Sequence, residues 1–206
     1  MWEERISEFV TLFIVINPFG VLPAFLAMSG GLAITTQRKV ATTAVLVSFA
    51  VLLFFIIAGG FLLEKMGVSL RSFQIGGGII LFLIALEMVR GESHAPAQQW
   101  NGNDPTALAI YPLAIPKIAG PAAMLAVVLL TDDHRFQFKE LAMTTGVLAL
   151  VLMITLGVLL AAGPISRLLG MSGASVISRV LGMILLALAV QTILTGIGDW
   201  LGLPKL

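Results

Sequence analysis

Six apolar stretches, at roughly 9–29, 40–63, 73–90, 106–130, 139–163 and 177–198, leave this chain few folds to choose from. Each is close to the ~20 residues an α-helix needs to cross a hydrocarbon core ~30 Å thick. In lipid every backbone N–H and C=O must find its partner within the protein, and a helix satisfies nearly all of them inside each stretch. Only 11% of the 206 residues are charged, against about 25% in soluble domains, so water alone could not solvate the fold. The expectation is an all-α polytopic membrane protein with six transmembrane helices. It forms a single transmembrane domain over residues 1–206, with the lipid bilayer as its first partner.

Several function classes fall away. A net charge of +1 gives nucleic acid nothing to bind. With no cysteine there is no disulfide, thiolate metal site or cysteine nucleophile. The two histidines, His94 and His134, fall in polar segments far apart in the chain. No HExxH, GxSxG or phosphate-loop pattern occurs. The reading is therefore not an enzyme, with no cofactor and no metal. The start, Met1-Trp2-Glu3-Glu4-Arg5, lacks a basic n-region and a cleavage site, so the first apolar stretch is expected to be retained as a span.

The spans fall into two matching sets of three. Span 1 carries Asn17-Pro18-Phe19-Gly20-Val21-Leu22-Pro23 and span 4 carries Ile115-Pro116-Lys117-Ile118-Ala119-Gly120-Pro121. Each has two prolines five residues apart with a glycine between them. Gly67 follows span 2 as Gly170 follows span 5, and Gly78, Ala85 and Glu87 of span 3 match Gly182, Ala189 and Gln191 of span 6. The offsets are 98, 103 and 104 residues. Three spans per half reverse the second half in the membrane, which gives two inverted-topology three-helix repeats, a common transporter plan. The repeats cover about 1–90 and about 106–206, joined by a polar, Pro/Gly/Asn-rich linker at about 91–105. Positive charges are nearly balanced between the two sides, so orientation is not fixed by them.

The proline segments carry the functional expectation. Proline removes a backbone N–H and clashes with the preceding turn, so helices 1 and 4 should be broken. A break within the membrane persists where it faces protein or a water-filled cavity, and its loose N–H and C=O ends can hold a polar solute. The candidate substrate-binding residues are Asn17, Pro18, Gly20, Pro23, Pro116, Lys117, Gly120 and Pro121. Asn17 could contact substrate or cap the helix that follows it. Lys117 could counter a carboxylate or reach toward an aqueous vestibule. Glu87 reads as the only carboxylate well inside an apolar span; it could couple transport to protons, or lie at the interface with Arg90 at i+3. Gln191 is its neutral counterpart, suited to an interhelical hydrogen bond. Gly76-Gly77-Gly78 reads as a helix-packing surface.

The same segments resemble a known family. "LFIVINPFGVLPAFL" (12–26), "IGGGIILFLIALEMVRG" (75–91), "YPLAIPKIAGPAAM" (111–124) and "RVLGMILLALAVQTILTGI" (179–197) are similar to the MarC family of membrane proteins. The family is grouped with small neutral amino acid transporters and, more distantly, LysE-type exporters. The resemblance implies a six-span protein of the inner (plasma) membrane that moves glycine- or alanine-like solutes by alternating access. Its motif positions fall on Asn17, Pro18, Gly20, Pro23, Pro116, Gly120 and Pro121. Lys117, where an apolar or small residue is usual, and Ala122, where a glycine is common, depart from the family pattern. Na+ or H+ coupling and a homo-oligomer are compatible with this reading. The alternatives are a non-transporting structural or stress-related membrane protein, or efflux of other small polar metabolites.

Overall fold

A computed structural model of the chain describes residues 2–91, 104–132 and 138–202. Most of the polar linker, from 92 to 103, lies outside the described residues, as does His134.

All regular structure among the described residues is helical. Helix α1 (Trp2–Ile16) is followed across Asn17 by α2 (Pro18–Ser29), α3 (Ile34–Lys65) and α4 (Leu70–Arg90). After the linker come a short α5 (Pro105–Leu108), a wide-turn segment (Ala109–Ile118), α6 (Pro121–Asp132), α7 (Phe138–Leu160) and α8 (Ala162–Leu201). Local chemistry sets several ends. Ser69 caps α4 by accepting from the Ser72 N–H at 3.1 Å, and Gly91 closes it at φ 73°. Asp104 caps α5 by accepting from the Thr106 N–H at 2.8 Å.

Five helical units are long and apolar enough to cross a membrane, and a sixth is reached if the bent pair 105–118 and 121–131 counts as one span. That pair bends by 56°. The last helix is longer than the apolar stretch at 177–198 suggests: its backbone stays helical from Ala162 to Leu201.

The closest helix–helix seam joins α4 to α8, which run antiparallel. A Cβ on Gly78 would lie 2.7 Å from Ile193 Cγ1 and 3.4 Å from the Ala189 carbonyl oxygen. A Cβ on Gly182 would lie 2.8 Å from Met88 Cβ and 3.4 Å from the Ala85 carbonyl oxygen. The two glycines allow the helices to approach backbone to backbone, as small residues do in membranes. Leu81, Ala85, Leu185 and Ala189 fill the seam. Buried positions also recur between α3 and α7: Ala41 and Thr144, Val45 and Leu148, Leu52 and Thr155, and Ile56 and Leu159, all buried and each pair 103 residues apart.

Packing runs mainly between the first three spans and the last three. α3 lies against α6, α7 and the wide-turn segment; α1 against α6 and α7; α2 against α8. The outward faces carry apolar side chains such as Phe54, Ile57, Leu83 and Met183, as lipid contact requires.

Candidate functional site

The first break is organised by Asn17. Pro18 has no N–H to offer the Ile14 carbonyl, so the α1 ladder stops there. Asn17 adopts a left-handed conformation (φ 49°, ψ 71°), which Asn tolerates better than most residues. Its side-chain oxygen accepts the Gly20 N–H at 3.1 Å, and its backbone carbonyl accepts the same N–H at 2.9 Å. Its amide nitrogen lies 3.8 Å from Met88 Sδ on α4. Asn17 is thus the N-cap of α2, and it is buried. Gly20 must lack a Cβ, because one would collide with the Asn17 amide. Pro23, inside α2, withholds an N–H from the Phe19 carbonyl one turn back.

The second break is longer. Tyr111 (φ −132°, ψ 128°) and Ile115 (φ −122°, ψ 123°), each preceding a proline, are extended, as the residue before proline prefers. The Ala119 N–H reaches back five residues to the Ala114 carbonyl at 2.8 Å. The Ser48 hydroxyl of α3 lies 3.5 Å from the same carbonyl and donates more closely, at 2.8 Å, to Ala44. Gly120 is buried, and a Cβ there would sit 2.5 Å from the Pro116 carbonyl oxygen. Pro121 then opens α6 as Pro18 opens α2.

Spans 1 and 4 run antiparallel at the breaks, with α2 against the wide-turn segment and α1 against α6. Ile16, Leu22, Leu113, Ala114 and Ile118 belong to one buried cluster. The sequence-predicted residues therefore separate into two groups. Asn17, Pro18 and Gly120 are buried, with Gly20 and Pro23 half-buried, whereas Pro116, Lys117 and Pro121 are exposed. Lys117 makes no hydrogen bond or ion pair among the described residues. Apolar side chains from both breaks meet in that buried cluster.

Glu87 and Gln191 are both exposed. They lie toward different ends of the α4–α8 seam, since Gly91 meets Arg179 while Gly78 meets Ala189 and Ile193. The Gln191 amide donates to Thr195 Oγ1 at 3.4 Å within its own helix. Glu8 of α1, just before the first apolar stretch, is 5% exposed and so far more buried than Glu87.

Glu8 belongs to a cluster that sequence reasoning missed. Arg5 Nη1 lies 2.9 Å from the Glu8 carboxylate and 3.3 Å from Thr144 Oγ1, and Arg5 Nη2 donates to Glu140 Oε2 at 2.6 Å. Thr144 Oγ1 also donates toward both Glu8 oxygens at 3.4 Å. Arg5 and Glu8 share a face of α1; Glu140 and Thr144 share a face of α7. The signal was present as two short spacings, i,i+3 and i,i+4, on helices whose partnership no single sequence reveals.

Comparison with known proteins bears on this architecture. The model of the MarC family of integral membrane proteins matches residues 2–201. The chain belongs to the MarC family. Among its relatives, the UPF0056 inner membrane protein YhgN of Escherichia coli is 34% identical, over 97% of this chain and 98% of its own. UPF0056 membrane protein MJ1677 of Methanocaldococcus jannaschii is 34% identical over 93% and 95%. A UPF0056 membrane protein of Archaeoglobus fulgidus is 31% identical over 94% and 92%. No solved structure matches the chain. With these relatives and these spans, the MarC-family chain is a multi-pass protein of the inner membrane.

Proposed function

We propose that this MarC-family chain is a secondary transporter or exporter of small neutral amino acids, glycine or alanine in size, working by alternating access. The observation that carries the reading is the pair of interrupted spans set antiparallel with their breaks in one core. Prolines there leave the carbonyls of Ile14, Phe19 and Lys117 without an N–H one turn on. Such carbonyls suit an ammonium group or a coupling ion, and the N-termini of α2 and α6 suit a carboxylate.

An inverted repeat underlies this reading. Pro18 and Pro121, both first residues of a helix, are 103 residues apart, the offset that also relates the buried faces of α3 and α7. This equivalence replaces the Pro18–Pro116 pairing suggested by proline spacing alone. The reciprocal seam supports it as well: Gly78 meets Ala189, and Gly182 meets Ala85, each residue 104 positions from its counterpart. Binding sites of inverted-repeat transporters lie where the broken helices meet.

A second reading rests on the apolar cluster in which the two breaks meet. That cluster suits a non-transporting membrane protein as well as a closed, substrate-free transporter. Uptake of labelled glycine, alanine and serine into proteoliposomes, under sodium and proton gradients, separates the two. Exchange of any of these supports transport; exchange of none, under either gradient, removes the substrate assignment.

A further inference from the structure

The Arg5–Glu8–Glu140–Thr144 cluster joins span 1 to span 5 at the end of the bundle where the N-terminus lies. The Arg5, Glu8 and Glu140 side chains retain 14%, 7% and 18% of their exposure. One turn deeper, Leu12 on α1 and Leu148 on α7 are fully buried. A polar layer thus covers an apolar one.

The opposite end is built differently. The positions 103 residues from Arg5 and Glu8 are Leu108 and Tyr111, and those 103 before Glu140 and Thr144 are Gln37 and Ala41. There Leu108 and Ala41 are buried with α5 against α3, and Gln37 donates to the Ser29 and Leu32 carbonyls at 3.0 and 3.1 Å. Among the described residues, the counterpart positions Leu108 and Ala41 meet by apolar contact there.

The two closures respond differently to water. Opening an apolar contact exposes apolar surface and recovers nothing. Opening an ion cluster loses Coulomb attraction but regains hydration that burial had cost. An ion cluster can therefore be specific when shut and inexpensive to part when its end floods.

We propose that Arg5, Glu8, Glu140 and Thr144 form an ionic latch that closes the N-terminal end of the passage between α1 and α7, with no matching ion cluster at the counterpart positions Gln37, Ala41, Leu108 and Tyr111. The latch rests on the transport reading above. Removing the Arg5 charge takes away the cation that Glu8 and Glu140 share, which biases this end open.

The chain's lack of cysteine makes the test direct. Single-cysteine reporters Leu12→Cys, beneath the latch, and Leu108→Cys, at the other end, are placed in the full chain in lipid nanodiscs. Labelling by a hydrophilic maleimide is then timed with and without Arg5→Gln. Labelling at position 12 should accelerate about tenfold or more, with position 108 unchanged and Arg5→Lys close to the parent. An equal rate at position 12 in a monodisperse Arg5→Gln protein overturns the latch, as does equal acceleration at both positions. Should Arg5→Gln not yield folded protein, Glu140→Gln, which keeps the Arg5–Glu8 pair, decides on the same criteria. The readout needs no substrate. A working latch in a protein that moves no amino acid removes only the substrate assignment, and intact transport with unchanged labelling removes only the latch.

Discussion

The side-chain oxygen of Asn17 lies over Gly20 and accepts its N–H at 3.1 Å, so one residue both ends α1 and starts α2. Replacing Asn17 with Ala should cost about 1–2 kcal/mol, from the lost cap and the left-handed backbone together. Asn17→Gly, which tolerates that backbone, should cost less. Thermal unfolding in detergent measures both. If Asn17 also contacts substrate, Asn17→Asp should retain the cap while altering uptake.

Gly78 and Gly182 occupy reciprocal places in the α4–α8 seam. Gly78→Leu and Gly182→Leu should each destabilise by about 1–3 kcal/mol through overpacking. Gly76 has nothing within 4 Å of its would-be Cβ, so Gly76→Ala should be neutral or stabilise by up to about 1 kcal/mol. Melting temperatures of the three variants in one detergent settle the contrast.

Exchange of the two glutamates should give opposite results. Glu87→Gln, at an exposed site, should leave both the melting temperature and the pH profile of uptake unchanged. Glu8→Gln removes a buried charge from Arg5, which keeps Glu140, and should destabilise by about 1–3 kcal/mol. An altered pH profile in Glu87→Gln would mark that residue as a coupling group.

Lys117 has no partner to lose within the described residues. Lys117→Met should leave stability within about 0.5 kcal/mol. On the transport reading it should weaken uptake of amino acids, with the loss in KM rather than in kcat if the ammonium acts only on a bound carboxylate. Uptake kinetics over a substrate series check this.

The spans were legible because apolar length and proline chemistry act locally. A run of apolar residues must become a helix in lipid, and Pro18 must interrupt one. The register of the second break was not legible, because Pro112, Pro116 and Pro121 are all able to start or stop a helix. Only the backbone shows that Pro121 opens α6. The exposure of Glu87 was hidden for a related reason. In a helix that is apolar on every side, periodicity does not tell the protein face from the lipid face. Arg5 and Glu8 precede the first apolar stretch, and nothing local marks them for the interior. Their burial depends on α7, which arrives more than a hundred residues later.

Helices of the first three spans rest chiefly on helices of the last three, α4 on α8 and α3 on α6 and α7. Neither triplet is a free-standing body. A cycle that swung one triplet wholesale against the other would have to unzip the glycine seam each time. Any moving parts must instead be mixed, each taking helices from both triplets, with the seam carried along intact.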